Sequence, residues 1–307
     1  MEKTIQGKKL TSKEVARLLG VSEASIKRWA DSGLLPMKKT AGGHRRFRPE
    51  DIANIRRDGL REEDSHPLKK RFTARLAEES ELEPGREATM VEETFDALME
   101  GRDEELSALF INLYLQGQTV AAIADHLLCV AMRRIGDLWH QGELSIAQEH
   151  VATRTALSAL QNFHTAVDAP KRKPLMALCC STEEDFHELP VQLTALTLKA
   201  EGSEVFNLGT NTPFYALTEA IERFSPQLVC VASTILKSLD RAAREYAGFH
   251  RTARRARTSV VLGGAGFSDA SVRKRFPAEL YADNYQQLAA FASRLMTPEP
   301  GGESNES

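Results

Sequence analysis

The stretch Cys180-Ser-Thr-Glu-Glu-Asp-Phe-His-Glu-Leu-Pro190 lies where the hydrophobic period of the chain changes. An apolar run from Leu175 to Cys180 precedes it, and a segment of helical spacing from Leu189 to Ala200 follows. A short apolar run, a polar turn and an amphipathic stretch read as strand, loop and helix. Pro190 suits the first turn of that helix, where its missing N–H costs nothing. The loop carries Asp185 and His187. A histidine beyond the carboxyl end of a strand can serve as a lower metal ligand, with the carboxylate orienting its other nitrogen.

Read onward, the alternation continues. Val205 to Leu208 is a short strand, Phe214 to Phe224 a helix, Leu228 to Ala232 a strand, Leu239 to Thr252 a helix and Ser259 to Leu262 a strand. A last strand is expected near Leu280 to Ala282, and a last helix over Tyr285 to Leu295. Buried strands alternating with helices imply a doubly wound parallel sheet over residues 171–297. Ser233-Thr-Ile235 follows its third strand and Gly263-Gly264 its fourth, and glycines there let a flat or extended ligand approach the backbone. Residues 298–307 are polar and read as a disordered tail.

Read backward, residues 88–170 show helical periodicity in four segments, near 88–100, 103–116, 119–141 and 145–168, joined by short loops as in a four-helix bundle. Ser145 and Gln148 fit a capping box. Leu128, Met132, Ile135 and Trp139 form an apolar stripe that ends in the indole. The spacing of Ile146, His150, Thr153, Leu157 and Leu160 turns His150 inward, so Trp139 and His150 should flank one helix–helix corner. Residues 61–87 are a run of charges with few large apolar side chains, expected to be a solvated linker.

The first sixty residues contain 14 Lys and Arg against 7 Asp and Glu, and the remainder 26 against 36. That asymmetry fits a small nucleic-acid-binding head on an acidic body. Three short helices are expected there, over Thr11 to Leu19, Ser22 to Ser32 and Pro49 to Arg57, with Val15, Leu18, Leu19, Val21, Ile26 and Trp29 as a core. The run from Leu34 to Phe47 reads as a wing. Ser22, Ser25, Lys27 and Arg28 lie near the start of the second helix, the part that enters a major groove in such motifs. Lys38, Lys39, His44, Arg45 and Arg46 would meet phosphates from the wing.

At 307 residues, 42% hydrophobic and 27% charged, the chain is that of an ordinary folded protein of two or three domains. No apolar run approaches the ~20 residues that cross a bilayer, and the N-terminus lacks the apolar stretch of a signal peptide. The expectation is a cytoplasmic protein with no membrane partner. Cys129, Cys179, Cys180 and Cys230 include no C-x-x-C pair, which supports neither a disulfide framework nor a zinc ribbon.

The segment from Thr11 to Pro36, followed by Ala41-Gly-Gly-His-Arg-Arg-Phe-Arg48, resembles the winged helix-turn-helix of MerR-type regulators. Asp185 and His187 match the D-x-H-x-x-G loop of cobalamin-binding Rossmann-like domains, with Ser233 and Ile235 at the family's Ser-x-Leu and Gly263 and Gly264 at its glycine pair. Pro190 stands where that motif has Gly, and Ile235 where it has Leu. With Trp139, nine residues, then Glu149-His150 ahead of it, the whole chain resembles the CarH/LitR-type repressors. That resemblance implies adenosylcobalamin between cap and Rossmann-like domain, with His187 as the lower cobalt ligand. Trp139, Glu149 and His150 would face the adenosyl side, and His150 could ligate cobalt after photolysis. It further implies a dark-assembled homo-oligomer, dimer or tetramer, on a double-stranded DNA operator, dismantled by light.

Other readings remain at this stage. A MerR-type regulator independent of cobalamin could sense another ligand or a protein partner. A corrinoid methyl-carrier shares cap and sheet, but has no use for a basic winged head. A non-enzyme is expected, since there is no G-x-S-x-G, no P-loop and no G-x-G-x-x-G after the first strand.

Overall fold

The computed structural model describes residues 9–18, 23, 26–27, 30, 35–40, 42–48, 52, 84–167 and 175–296. The expected linker as far as residue 83, the expected tail, the residues Ser22, Ser25, Arg28, Leu19, Val21 and Trp29 and the side chain of Leu18 lie outside what is described; residues 84–87, expected to belong to the linker, instead begin the first helix of the bundle. The chain divides into two compact units, one within residues 1–168 and the other within 169–307.

The head begins with β1 (Leu10–Thr11) and α1 (Ser12–Leu18), followed by β2 (Lys38–Lys39) and β3 (Arg45–Phe47). Thr11 and Glu14 close a reciprocal cap on α1: Glu14 N–H donates to the Thr11 hydroxyl and Thr11 N–H to the Glu14 carboxylate. The strands form an antiparallel sheet in the order β1-β3-β2. Val15, Ile26, Leu35, Phe47 and Ile52 are buried together beneath it, and Leu115 of the bundle completes that cluster.

The bundle comprises α2 (Pro84–Met99), α3 (Asp103–Leu115), α4 (Val120–Ile123), α5 (Cys129–His140) and α6 (Ile146–His164). The helix expected over 119–141 is interrupted by a π-helical turn, Ala124–Leu128, which splits it into α4 and α5. Ser145 caps α6 with both hydrogen bonds of the capping box to Gln148.

The second unit is α/β: β4 (Met176–Thr182), α7 (Glu188–Ala200), β5 (Glu204–Thr212), α8 (Phe214–Phe224), β6 (Leu228–Ala232), α9 (Leu239–Ala256), β7 (Ser259–Gly263), α10 (Ala270–Arg273), β8 (Leu280–Ala282) and α11 (Tyr285–Met296). The five strands are parallel in the order β5-β4-β6-β7-β8, the doubly wound sheet expected from the sequence. Alternation along each strand divides the core into two layers. Leu178, Cys180, Val229, Val231 and Val260 pack against Phe214 and Leu217 of α8 and Tyr246 and Phe249 of α9. Ala177, Cys179, Cys230 and Val261 pack against α7 and α11 through Val191, Leu198, Leu288 and Ala292. The chain reverses its winding direction beside β4, so the carboxyl ends of β4 and β6 open onto the crevice where ligands bind in such sheets.

Candidate functional site

Both polar loops singled out in the sequence emerge at that crevice, and a single buried carboxylate ties them together. Asp185 is 1% exposed. Its Oδ1 accepts from the His187 backbone N–H at 3.0 Å and lies 2.6 Å from His187 Nδ1. Its Oδ2 accepts from the N–H of Thr234 at 2.6 Å, on the loop after β6. Burial opposes ionisation, but the His187 ring, the His187 backbone and the Thr234 backbone outweigh it and hold the carboxyl below its ordinary range. With Nδ1 held by Asp185, Nε2 is the imidazole nitrogen oriented to ligate a metal. The ring is half exposed.

The loop is clamped from a third side. The Asp185 carbonyl accepts from the Ser181 hydroxyl and from Asn211 N–H, and the Asn211 side chain accepts from Glu184 N–H at 2.8 Å. Asn211 is marked by no motif in the sequence, and Thr234 stands there only as the variable middle residue of Ser233-Thr-Ile235; each reaches the loop from a distant strand end. Phe186 and Ile235 stand exposed on the two loops that Asp185 joins.

Ser233 and the glycine pair form a second knot. Ser233 is fully buried, with its hydroxyl 3.0 Å from that of Thr182 and its carbonyl accepting from Gly266 N–H. Gly264 has φ +91°, and a Cβ there would stand 2.4 Å from the Ser233 carbonyl oxygen. At Gly264 the protein's own β6 loop makes the close backbone approach, while both glycines also line the cavity beside the knot.

Beside the knot, an apolar cavity of about 170 Å³ opens between α7, α11 and the ends of β6, β7 and β8. Pro190, Cys230, Val231, Gly263, Tyr285 and Leu288 are among its lining residues. Pro190 sits in the first turn of α7, as expected of a proline, and its carbonyl accepts from the Tyr285 hydroxyl at 3.4 Å.

In the bundle, Trp139 lies in the last turn of α5 and is 46% exposed. His150 does not turn inward: its side chain is 71% exposed. The packed face of α6 is made by Ala152, Thr155, Ala156, Ala159, Leu160 and Phe163, and position 150 lies about 150° away from it on the helix. His150 instead accompanies exposed Ile146 and Val151, with Nε2 3.6 Å from Glu149 Oε2. Glu149 Oε1 accepts from the Thr153 hydroxyl at 2.7 Å.

In the head, Lys38 pairs with Arg46 and Lys39 with Arg45 across the antiparallel ladder. Like charges placed opposite one another on a sheet destabilise it, and an anionic partner removes that penalty. His44 is exposed at the tip of the wing, and Lys27 carries an i,i+4 ion pair to Glu23 at 2.7 Å.

Comparison with known proteins agrees with this architecture. A family profile described as a helix-turn-helix domain matches residues 10–56, and one described as a B12 binding domain matches residues 90–162, in the helical bundle. The chain is 24% identical over 291 residues to the HTH-type transcriptional repressor CarA of Myxococcus xanthus, covering 93% of this chain and 97% of that one. It is 23% identical over 237 residues to CarH of the same organism, covering 73% and 79%. The monomethylamine corrinoid protein of Methanosarcina barkeri superposes with a TM-score of 0.58 at 18% identity, covering 68% of this chain and all but 1% of that one. The bundle and parallel sheet therefore have the fold of a corrinoid protein. The chain joins a helix-turn-helix domain to a B12-binding domain and is similar to the CarA repressor over nearly its whole length and to the CarH repressor over about three quarters of it.

Proposed function

We propose that this chain is a DNA-binding transcriptional repressor whose assembly on DNA is controlled by bound adenosylcobalamin and reversed by light. The observation that carries the reading is the half-exposed His187 imidazole, fixed through Nδ1 by buried Asp185, in a chain that also carries a basic winged head. The residues suit the group. Nε2 of His187 would hold the cobalt, exposed Phe186 and Ile235 would offer apolar contact to a flat macrocycle, and the cavity beside Pro190 and Tyr285 would receive part of the nucleotide tail.

When bound, the cofactor supplies a cobalt–carbon bond that light can cleave. The protein's own residues do the rest. The exposed indole of Trp139 gives a stacking surface for an adenosyl group, and Glu149, already accepting from Thr153, can accept from its hydroxyls or amine. Exposed His150 would be the bundle's imidazole available to hold cobalt. Leu115 belongs to the core of the head as well as to α3, so a rearranged bundle strains the DNA-binding head directly.

The test is to mix the full-length protein with adenosylcobalamin in the dark, desalt it, and follow absorbance and size-exclusion profile before and after illumination. The reading expects co-eluting corrinoid in a dimer or tetramer whose elution shifts on illumination. A colourless protein peak contradicts the cofactor assignment, and a coloured peak indifferent to light contradicts the light assignment.

A further inference from the structure

We propose that the outward face of α9 is a second phosphate-binding surface, which lies against the backbone of double-stranded DNA outside the sequence read by the head. Residues 237–275 contain ten Lys and Arg against three Asp and Glu, in a body that is otherwise acidic. Arg244, Arg251 and Arg255 follow at i, i+7 and i+11, so on an α-helix they fall within about 40° of one another and span roughly 16 Å. All three are exposed. The opposite face carries Tyr246, Phe249 and Ala253, buried in the core, which fixes the helix rigidly and turns the arginines outward.

Among the described residues these cations differ from their neighbours in forming no ion pair. Arg241 is paired with Glu183 and Glu184, Arg273 with Asp283, and Arg275 with Asp240. Arg244, Arg251, Arg254 and Arg255 have no ion pair among the described residues. Arg251 instead faces Arg254 at i+3 and Arg255 at i+4, an arrangement that destabilises a helix. The negative end of the helix dipole offsets this for Arg254 and Arg255 in the last turn, and does nothing for Arg244 or Arg251, one or more turns before it. A polyanion relieves all of them.

Duplex DNA is the polyanion the chemistry favours. The apolar side of α9 is buried, so the helix has nothing to insert into a bilayer. Guanidinium groups bind phosphate oxygens through two parallel N–H donors. Ala247 and Gly248, which lie between the arginines in sequence, leave the face without bulk. A second contact on the same chain as the winged head also acts at high effective concentration once the head is bound.

The test compares full-length wild type with the triple variants Arg244→Gln/Arg251→Gln/Arg255→Gln and Arg244→Lys/Arg251→Lys/Arg255→Lys. Binding to a mixed-sequence duplex several turns long is measured across a series of potassium chloride concentrations. Each lost phosphate contact removes about 0.9 from the slope of log K against log[salt], so the Gln variant should lose about 2 to 3 and bind at least about tenfold more weakly at low salt. The Lys variant should keep most of the slope, and corrinoid retention should match wild type in both. An unchanged slope in the Gln variant overturns the proposal. So does an equal loss in the Lys variant, which would indicate a damaged helix. Undiminished duplex binding together with weaker binding to poly-glutamate would assign the face to an acidic protein and likewise overturn it.

Discussion

Asp185 and His187 are two residues apart in sequence, and the carboxylate of the first meets both the backbone N–H and the Nδ1 of the second while its other oxygen accepts from Thr234 on a different loop. Apart from the histidine ring, the hydrogen bonds to this carboxylate come from backbone N–H groups, so an amide in its place would face N–H groups with an NH₂. Asp185→Asn should therefore destabilise the sheet domain by about 1–3 kcal/mol, read as a lowered urea midpoint. A midpoint equal to wild type would mean that the two loops hold their positions without the carboxylate.

Gly264 gives a sharper steric test. Alanine there meets the Ser233 carbonyl at 2.4 Å and must also adopt φ +91°, whereas alanine at Gly209, φ +82°, meets nothing within 4 Å. Backbone strain alone costs about 1–2 kcal/mol, so Gly209→Ala should lose about that much stability and Gly264→Ala distinctly more. Equal melting temperatures for the two variants would show that the β6 and β7 loops part easily.

The wing makes its own prediction. Arg45 stands opposite Lys39 in the ladder, and Arg45→Ala should weaken DNA binding and reduce the salt slope by about 0.9. Removing one of two opposed cations should leave the thermal stability of the head unchanged or slightly raised. An unaltered slope would move Arg45 off the DNA.

The thiols should be silent in the folded protein. Burial pushes Cys129 and Cys179 up to about 12 and raises Cys180 and Cys230 as well, and all four are free. Thiolate is the reactive form, so an aromatic disulfide reagent at pH 8 should titrate almost nothing in native protein and four groups in urea. Rapid reaction of one thiol in native protein would reveal an opening that the folded structure does not show.

Much of the fold could be read from the residues because burial is so regular in a parallel sheet. Leu228–Ala232, Phe214–Phe224 and Leu280–Ala282 occur with the expected bounds, since each apolar run is bracketed by a period change. The orientation of His150 could not be read in the same way. Large residues such as Ile146 and Leu157 suggested one face of α6, but the packed face is set by small ones, Ala152, Ala156 and Ala159, which let helices approach closely and carry little hydrophobic signal. The π turn at Ala124–Leu128 has no sequence signature either. Of the site, Asp185 and His187 announce themselves by local spacing; Thr234 and Asn211 act through backbone and amide groups brought in by the sheet topology, which no local pattern encodes.

The most direct measurement is the absorption spectrum and affinity of adenosylcobalamin bound in the dark to wild type and to His187→Ala. The account predicts that wild type retains the corrinoid with the spectrum of a histidine-ligated cobalt, and that the variant loses affinity or shifts to the spectrum of a corrinoid without a protein ligand. Identical spectra and affinities in the two proteins would contradict it.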